Sequence, residues 1–258
     1  MAKYYSLLTD IVKLADEAGE AVMAVYNTDF KAETKTDKSL VTEADVIAEK
    51  IILSGLSELT PDIPIIAEES VADGRVPSLK GPYYWLVDPL DGTREFVDRN
   101  DEFTVNIALI RNKVPILGVV FAPALKSSYW GAPGHGAFCR TNDVIEPISV
   151  ISPKKDEITI ISSRHHGNNP ELRKFAESLN VTKTLHAGSS LKFCIVAKGE
   201  ACVYPRFGPT SEWDTAAGHA ILEAAGGQVT TSDGDAFLYR KRNFKNSSFI
   251  AWGGIKPT

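Results

Sequence analysis

Two aspartates stand three residues apart in Asp88-Pro89-Leu90-Asp91-Gly92-Thr93, directly after the apolar run Tyr83-Tyr84-Trp85-Leu86-Val87. The run reads as a buried strand. Pro89 fixes φ and has no N–H for a ladder, so the strand is predicted to stop there. Asp88 and Asp91 then share one tight bend with the Leu90 carbonyl between them. Gly92 permits a close turn, and Thr93 can open a short helix over Arg94 to Val97. Two carboxylates on one bend, with only Arg94 close in sequence, repel each other and call for a cation. An all-oxygen site suits Mg²⁺ rather than zinc. The free N–H groups of Gly92 and Thr93, at a helix start, suit a phosphate. A plain capped turn also accounts for this stretch, because Asp-Gly is a common turn dipeptide.

Four more acids stand at comparable places. Glu68 and Glu69 follow the short apolar run Ile65-Ile66-Ala67, and each could be a solvated loop acid. Asp45 and Asp214 fall in the first turns of two expected helices, where a carboxylate contributes about 0.3–1 kcal/mol by its position alone. Six acids brought to one cleft would be untenable without metal. Bound metal also reverses the sign of the local field, so an acidic site can receive an anion. The chemistry this favours is metal-assisted transfer of a phosphoryl group to water.

The elements that must carry these residues follow from periodicity. Tyr4 to Tyr26 reads as one long amphipathic helix through Leu7, Ile11, Leu14, Ala18, Val22 and Val25. Lys31 to Thr36 reads as a strand and Asp37-Lys38-Ser39 as a turn. A second helix starts at a capping box of Thr42 and Asp45, with Ala44, Ile47, Ala48, Ile51 and Leu59 on its apolar face. Ser70 to Lys80 reads as a polar, mobile loop. Phe103 to Ile110 and Val114 to Phe121 form a predicted hairpin. Ser128 to Trp130, Gly136 to Arg140 and Pro147 to Ile151 are further strands, so the middle of the chain is a largely antiparallel sheet. Beyond Glu157 strands and helices alternate: strands at Ile158 to Ser162, Thr182 to Leu185, Ala201 to Tyr204, Gln228 to Thr231 and Ser248 to Trp252, and helices at Pro170 to Leu179, Ser189 to Lys198 and Trp213 to Ala225. The result is an N-terminal half, 1–155, that carries the Asp88–Thr93 loop, and a C-terminal α/β half, 156–258, that carries substrate elements. The two form one compact α/β unit.

Composition excludes several classes. A chain of 258 residues with net charge −5 and pI near 5.6 has no basic stripe for nucleic acid. No apolar run is long enough for a transmembrane segment, and the N-terminus lacks a signal-peptide layout. Three cysteines form no C-x-x-C or disulfide framework and read as buried apolar side chains in a reducing compartment. No G-x-S-x-G elbow, P-loop or G-x-G-x-x-G is present, and the five histidines show no metal-ligand spacing with cysteine.

Glu68-Glu69-Ser70, Trp85-Leu86-Val87-Asp88-Pro89-Leu90-Asp91-Gly92-Thr93 and Trp213-Asp214-Thr215-Ala216-Ala217-Gly218-His219-Ala220 together resemble the signatures of the inositol monophosphatase family, the lithium-sensitive, Mg²⁺-dependent phosphatases. The resemblance runs from Val41-Thr42-Glu43-Ala44-Asp45 to Ala224-Ala225-Gly226-Gly227. A finer match, to bacterial 3′(2′),5′-bisphosphate nucleotidases, lies in Thr93-Arg94-Glu95-Phe96, Glu102 to Leu109, Gly188 to Cys194 and Tyr204 to Pro209. The family fold is a layered α/β/α/β/α sandwich. The resemblance implies that Glu68, Asp88 and the Leu90 carbonyl hold one Mg²⁺, that Asp88, Asp91 and Asp214 hold a second, and that a weaker third ion binds near Glu68. It assigns Thr93, oriented by Asp45, to the attacking water, Glu69 to a supporting acid, and the Gly92 and Thr93 amides to the transferred phosphate. The implied reaction, as in sulfur metabolism, converts adenosine 3′,5′-bisphosphate to AMP and phosphate, and the 5′-phosphosulfate analogue in the same way.

A bisphosphate needs a second anion site, and Lys192, Arg206 and Ser189 are the candidates. His165 and Arg164 could reach the base or ribose, and Asp214 is a further substrate-binding candidate. Each has a plainer reading: Lys192 as a solvated helix lysine, Arg206 as a cation packed on an aromatic ring. Inositol or fructose phosphates as substrates, and a non-catalytic phospholigand sensor on the same fold, are the rival readings. Relatives acting on inositol phosphates form dimers and bisphosphate nucleotidases are commonly monomers, so both states stay open. The expected location is the cytoplasm, and any association with the inner membrane surface would be peripheral.

Overall fold

The computed structural model describes residues 2–35, 40–153, 157–164 and 169–255. The predicted turn at Asp37-Lys38-Ser39 and the boundary between the two halves near 155 and 156 lie outside them. The first predicted helix is two: α1 (Ala2–Tyr5) and α2 (Leu8–Tyr26). The chain tightens at Leu7, whose N–H reaches back three residues to the Tyr4 carbonyl. Strands β1 (Ala32–Thr34) and β2 (Leu40–Thr42) pair antiparallel and lead into α3 (Glu43–Leu59). The expected capping box opens α3: Thr42 Oγ1 accepts from the Ala44 N–H at 3.2 Å, and Asp45 Oδ2 accepts from the Thr42 N–H at 2.8 Å. The buried face of α3 is only partly the predicted one, keeping Ala44 and Ala48. It carries Ala44, Asp45, Ala48, Glu49, Ile52 and Leu56, whereas Ile47 and Leu59 are exposed. Two acids occupy inward positions, which rotates the face away from its most apolar letters.

A seven-stranded sheet follows in the order β3 (Ile65–Ala67), β4 (Tyr83–Asp91), β5 (Thr104–Arg111), β6 (Val114–Ala122), β7 (Ser127–Ala132), β8 (Gly136–Thr141) and β9 (Val144–Ile148). It is antiparallel except for β3 beside β4. Pro89 does not end β4. Asp88 faces Asn106 and Asp91 faces Thr104, so the strand bulges by one residue and continues. A bulge is where a missing N–H is tolerated. The predicted hairpin between β5 and β6 turns on Asn112 and Lys113, both left-handed at φ 49° and 69°. A similar turn at Asn142 and Asp143 sets β9 three residues earlier than the predicted Pro147 to Ile151. The loop expected from Ser70 begins as a one-turn helix, α4 (Glu68–Ala72), and α5 (Thr93–Val97) follows β4.

The second half supplies β10 (Ile158–Ser162), α6 (Pro170–Ser178), β11 (Val181–His186), α7 (Leu191–Ala197), β12 (Val203–Arg206), α8 (Glu212–Ala224), β13 (Gln228–Thr231) and β14 (Phe249–Trp252). Its five-stranded sheet runs β11-β10-β12-β14-β13, parallel across the first three and antiparallel thereafter. Helices α2 and α3 cover one face of the seven-stranded sheet. Helices α7 and α8 fill the space between the two sheets, and α6 covers the outer face of the five-stranded one. The architecture is therefore the α/β/α/β/α sandwich. Gly118 admits α8 to the sheet: a Cβ there would lie 2.3 Å from the Ala217 carbonyl oxygen. Among the described residues no helix is long and apolar enough to cross a membrane.

Candidate active site

The acids converge because their elements end at one edge. Parallel pairing of β3 with β4 brings Glu68, first in α4, beside the β4 bulge. Helix α8 points its first turn at the same place and delivers Asp214, whose Oδ2 accepts from the Ser211 N–H at 2.8 Å. Carboxylate oxygens of Glu68, Asp88 and Asp214 all lie within 4.8 Å of one another. Asp91 closes the bulge and lines the same cavity, of about 480 Å³, together with the Leu90 backbone, Gly92 and Thr93. Burial raises the Asp88 carboxyl well above its usual range, and Glu68, Asp91 and Asp214 add to the rise. Asp214 is raised by burial and then by Asp91 and Glu68. Asp91 is raised to about 6 by burial, against the pull of Lys192. Buried carboxylates that repel one another, with only oxygen donors, fit a hard divalent cation such as Mg²⁺.

Beside this group, Thr93 Oγ1 lies 3.4 Å from Asp45 Oδ1 and 3.3 Å from the Leu90 carbonyl. Asp45 is fixed in turn by the Thr42 N–H and hydroxyl, both at 2.8 Å from Oδ2. Burial raises Asp45 to about 6. Gly92 is left-handed at φ 89°, which frees the chain to turn from β4 into α5. Glu69 is raised to about 7 by burial, although Lys35 beside it pulls the other way.

A second cavity of about 350 Å³ shares Asp91, Gly92, Thr210 and Asp214 with the first and is lined by Ser189, Lys192 and Arg206. Lys192 is not a solvated helix lysine. It is buried, its ammonium donates to the Ala187 carbonyl at 3.3 Å and to the Ser189 carbonyl, and it lies 5.4 Å from the Tyr204 ring centre. Burial lowers it to about 8. Ser189 is not within the helix. It precedes α7 in a left-handed conformation, φ 43°, and its buried Oγ lacks a partner among the described residues, as does Arg206 Nε. Arg206 donates from Nη2 to the Pro209 carbonyl at 3.1 Å. Arg164 is committed elsewhere, forking onto Glu102 with Nε at 2.7 Å. His165 lies outside the described residues.

Several residues here escape a reading of the sequence. Lys35 is a cation beside the acids that the sequence reading did not name: its Nζ lies 3.0 Å from Glu68 and 2.6 Å from Glu69. Nothing local to Lys35 signals a partner more than thirty residues on. Glu49 accepts from the Glu69 and Ser70 N–H groups. Glu212, fully buried, accepts from the N–H groups of Arg240 and Lys241 at 3.0 and 2.7 Å. Lys245 donates to Ser211 Oγ at 3.0 Å and lines the first cavity. For Glu49 a signal did exist, since it is an acid within an apolar helical stretch.

Comparison with known proteins agrees with this fold. Residues 5–255 match the model of the inositol monophosphatase family. The chain is 47% identical over 246 residues to the 3′(2′),5′-bisphosphate nucleotidase CysQ of Salmonella typhimurium, covering 94% of this chain and 98% of that one. It is 45% identical to the corresponding protein of Escherichia coli K12, with the same coverage. The crystal structure of CysQ from Bacteroides thetaiotaomicron superimposes with a TM-score of 0.80 at 35% identity, over 97% of this chain and 98% of that one.

Proposed function

This chain belongs to the inositol monophosphatase family, and on that premise we propose that it hydrolyses the 3′-phosphate of adenosine 3′,5′-bisphosphate, giving AMP and phosphate. The observation that carries the nucleotide assignment is the second cavity, which brings Lys192 and Arg206 to one space and shares Asp91, Gly92 and Asp214 with the acidic one. A bisphosphate spanning both would place one phosphate at the acids and the other near Lys192. The similarity to CysQ proteins supports the same reading. The 5′-phosphosulfate analogue carries its second anion at the same end and is a further expected substrate. Three buried free cysteines suit a reducing cytoplasm.

Glu68, Asp88, the Leu90 carbonyl, Asp91 and Asp214 would hold two or three Mg²⁺ ions. When bound, these ions would supply charge neutralisation and lower the pKa of water. The chain's own groups handle position and protons. The Thr93 hydroxyl, held by Asp45, orients the attacking water and passes its proton toward the Asp45 carboxylate. Glu69 backs Glu68 through their shared contact with Lys35. The Gly92 and Thr93 amides bind the phosphate oxygens at the start of α5. A water oxygen forms the new bond to phosphorus as the bond to the ribose 3′-oxygen breaks. The leaving oxygen takes up a proton.

A substrate panel tests this. Phosphate release should be fastest from adenosine 3′,5′-bisphosphate, slower from inositol 1-phosphate and fructose 1,6-bisphosphate, and dependent on Mg²⁺. Release from inositol 1-phosphate at an equal or greater rate overturns the nucleotide assignment. Binding of the bisphosphate without any release favours a sensor.

A further inference from the structure

We infer that Glu49 is a positioning residue for the cation site, a buried clamp on the first turn of α4 that fixes where Glu68 points. The inference rests on the reading of Glu68, Asp88 and Asp214 as cation ligands. Helix α4 has five residues, and its N-cap, Ala67, has no side chain to accept a hydrogen bond. So short a helix cannot hold its own orientation, and its first N–H groups need acceptors. Glu49, 3% exposed, supplies them from the neighbouring helix. Its Oε2 accepts from the Glu69 N–H at 2.8 Å, and its Oε1 accepts from the Ser70 N–H at 2.9 Å and the Ser70 hydroxyl at 2.6 Å.

Glu49 lies four residues after Asp45, so both project from one face of α3. Asp45 meets Thr93 on α5, and Glu49 meets α4. One helix face thereby sets Glu68 and Thr93 relative to each other. The carboxylate is required for this. A glutamine in the same place has one carbonyl and one NH₂. Whichever way it turns, its NH₂ meets an N–H donor, so at least one clamp bond is lost and replaced by donor against donor.

The test is Mn²⁺ binding to the substrate-free protein, followed by electron paramagnetic resonance of the free ion. Glu49→Gln should weaken binding about 10- to 100-fold, the range found when a group supporting a metal ligand is removed. At saturating Mn²⁺ its KM for adenosine 3′,5′-bisphosphate should stay within about twofold of wild type, because the substrate cavity is untouched. Ser70→Ala, which deletes one of the three bonds, should weaken Mn²⁺ binding in the same direction by a smaller factor. In a Glu68→Gln background, Glu49→Gln should add nothing. A folded Glu49→Gln protein that binds Mn²⁺ as wild type does overturns the inference. If that variant does not fold, unchanged binding by Ser70→Ala overturns it. Asp88→Asn separates the two readings. Loss of Mn²⁺ in Asp88→Asn with full binding in Glu49→Gln refutes the clamp alone, whereas no Mn²⁺ binding by wild type refutes the cation site itself.

Discussion

Lys35 and Lys192 mark the two ends of the site, and each answers to a different ligand. Lys35, with its side chain 13% exposed, bridges Glu68 and Glu69 and neutralises part of the acidic group. A fixed positive charge that close opposes a divalent cation through the same carboxylate. Lys35→Met should therefore bind Mn²⁺ several-fold more tightly while lowering the melting temperature of the metal-free protein; calorimetric titration beside a thermal melt checks both. Weaker Mn²⁺ binding would mean that Lys35 organises the acids rather than competing for them. Lys192→Met should raise KM for adenosine 3′,5′-bisphosphate at least about tenfold while changing KM for a monophosphate little, as expected when one charged contact is lost. Equal effects on both substrates remove Lys192 from the second anion site. The acids of the site were legible because Asp88, Asp91 and Asp214 stand at strand and helix ends. Lys35 and the buried state of Lys192 were not, since both depend on which distant segments meet.

The elements hold the acids in place by close approach. Helix α8 can present Asp214 only because it lies against the sheet at Gly118 and against α7 at Gly218, where a Cβ would fall 2.6 Å from the Phe193 side chain. Gly118→Ala drives a methyl into backbone that cannot yield. Overpacking of that kind costs about 1–3 kcal/mol, and each kcal/mol lowers the melting temperature by about 2–4 °C in a chain of this size. The same variant should bind Mn²⁺ more weakly, because α8 must shift and carry Asp214 with it; a melt and a titration on one sample test the link. Unchanged Mn²⁺ affinity in a destabilised protein would show that Asp214 tolerates the shift. Local patterns placed most helices and strands well. They failed where a tertiary demand outweighed a local rule. Pro89 reads as a stop, yet the neighbouring β5 continues the pairing past it through a bulge. The apolar letters of α3 suggest Ile47 as buried, yet Asp45 and Glu49 take the inward places to serve other elements.

Across the whole molecule the site is a store of repulsion that a cation relieves. Asp45 and Asp91 ionise near 6 and Glu69 near 7 in the folded chain, each raised mainly by burial, with Asp88 and Asp214 raised further. In the unfolded chain such groups ionise at about 4. Between these values the folded state holds more protons, so stability falls as pH rises through that window. In EDTA the melting temperature should therefore decline from about pH 4.5 toward pH 7.5. Added Mg²⁺ should raise it more at pH 8 than at pH 5. Glu102 works against this trend only at the acid end. Although burial pushes its carboxyl up, the Arg164 side chain and the Gly188 N–H hold it below its usual range, so its contribution is lost as pH falls from the usual carboxylate value through that lowered one. A metal-free melting temperature that climbs steadily across the window would contradict the picture. The sandwich itself came from the family likeness together with the change from antiparallel hairpins to alternating strands and helices. Strand order was beyond reach, because the order β11-β10-β12-β14-β13 departs from chain order and is decided by pairings between strands far apart in sequence. The most direct measurement is phosphate release from adenosine 3′,5′-bisphosphate by wild type and Asp91→Asn at saturating Mg²⁺. Turnover that vanishes in EDTA and falls at least about a hundredfold in Asp91→Asn is the predicted result. Near wild-type turnover in that variant, or release that persists without divalent cations, would contradict it.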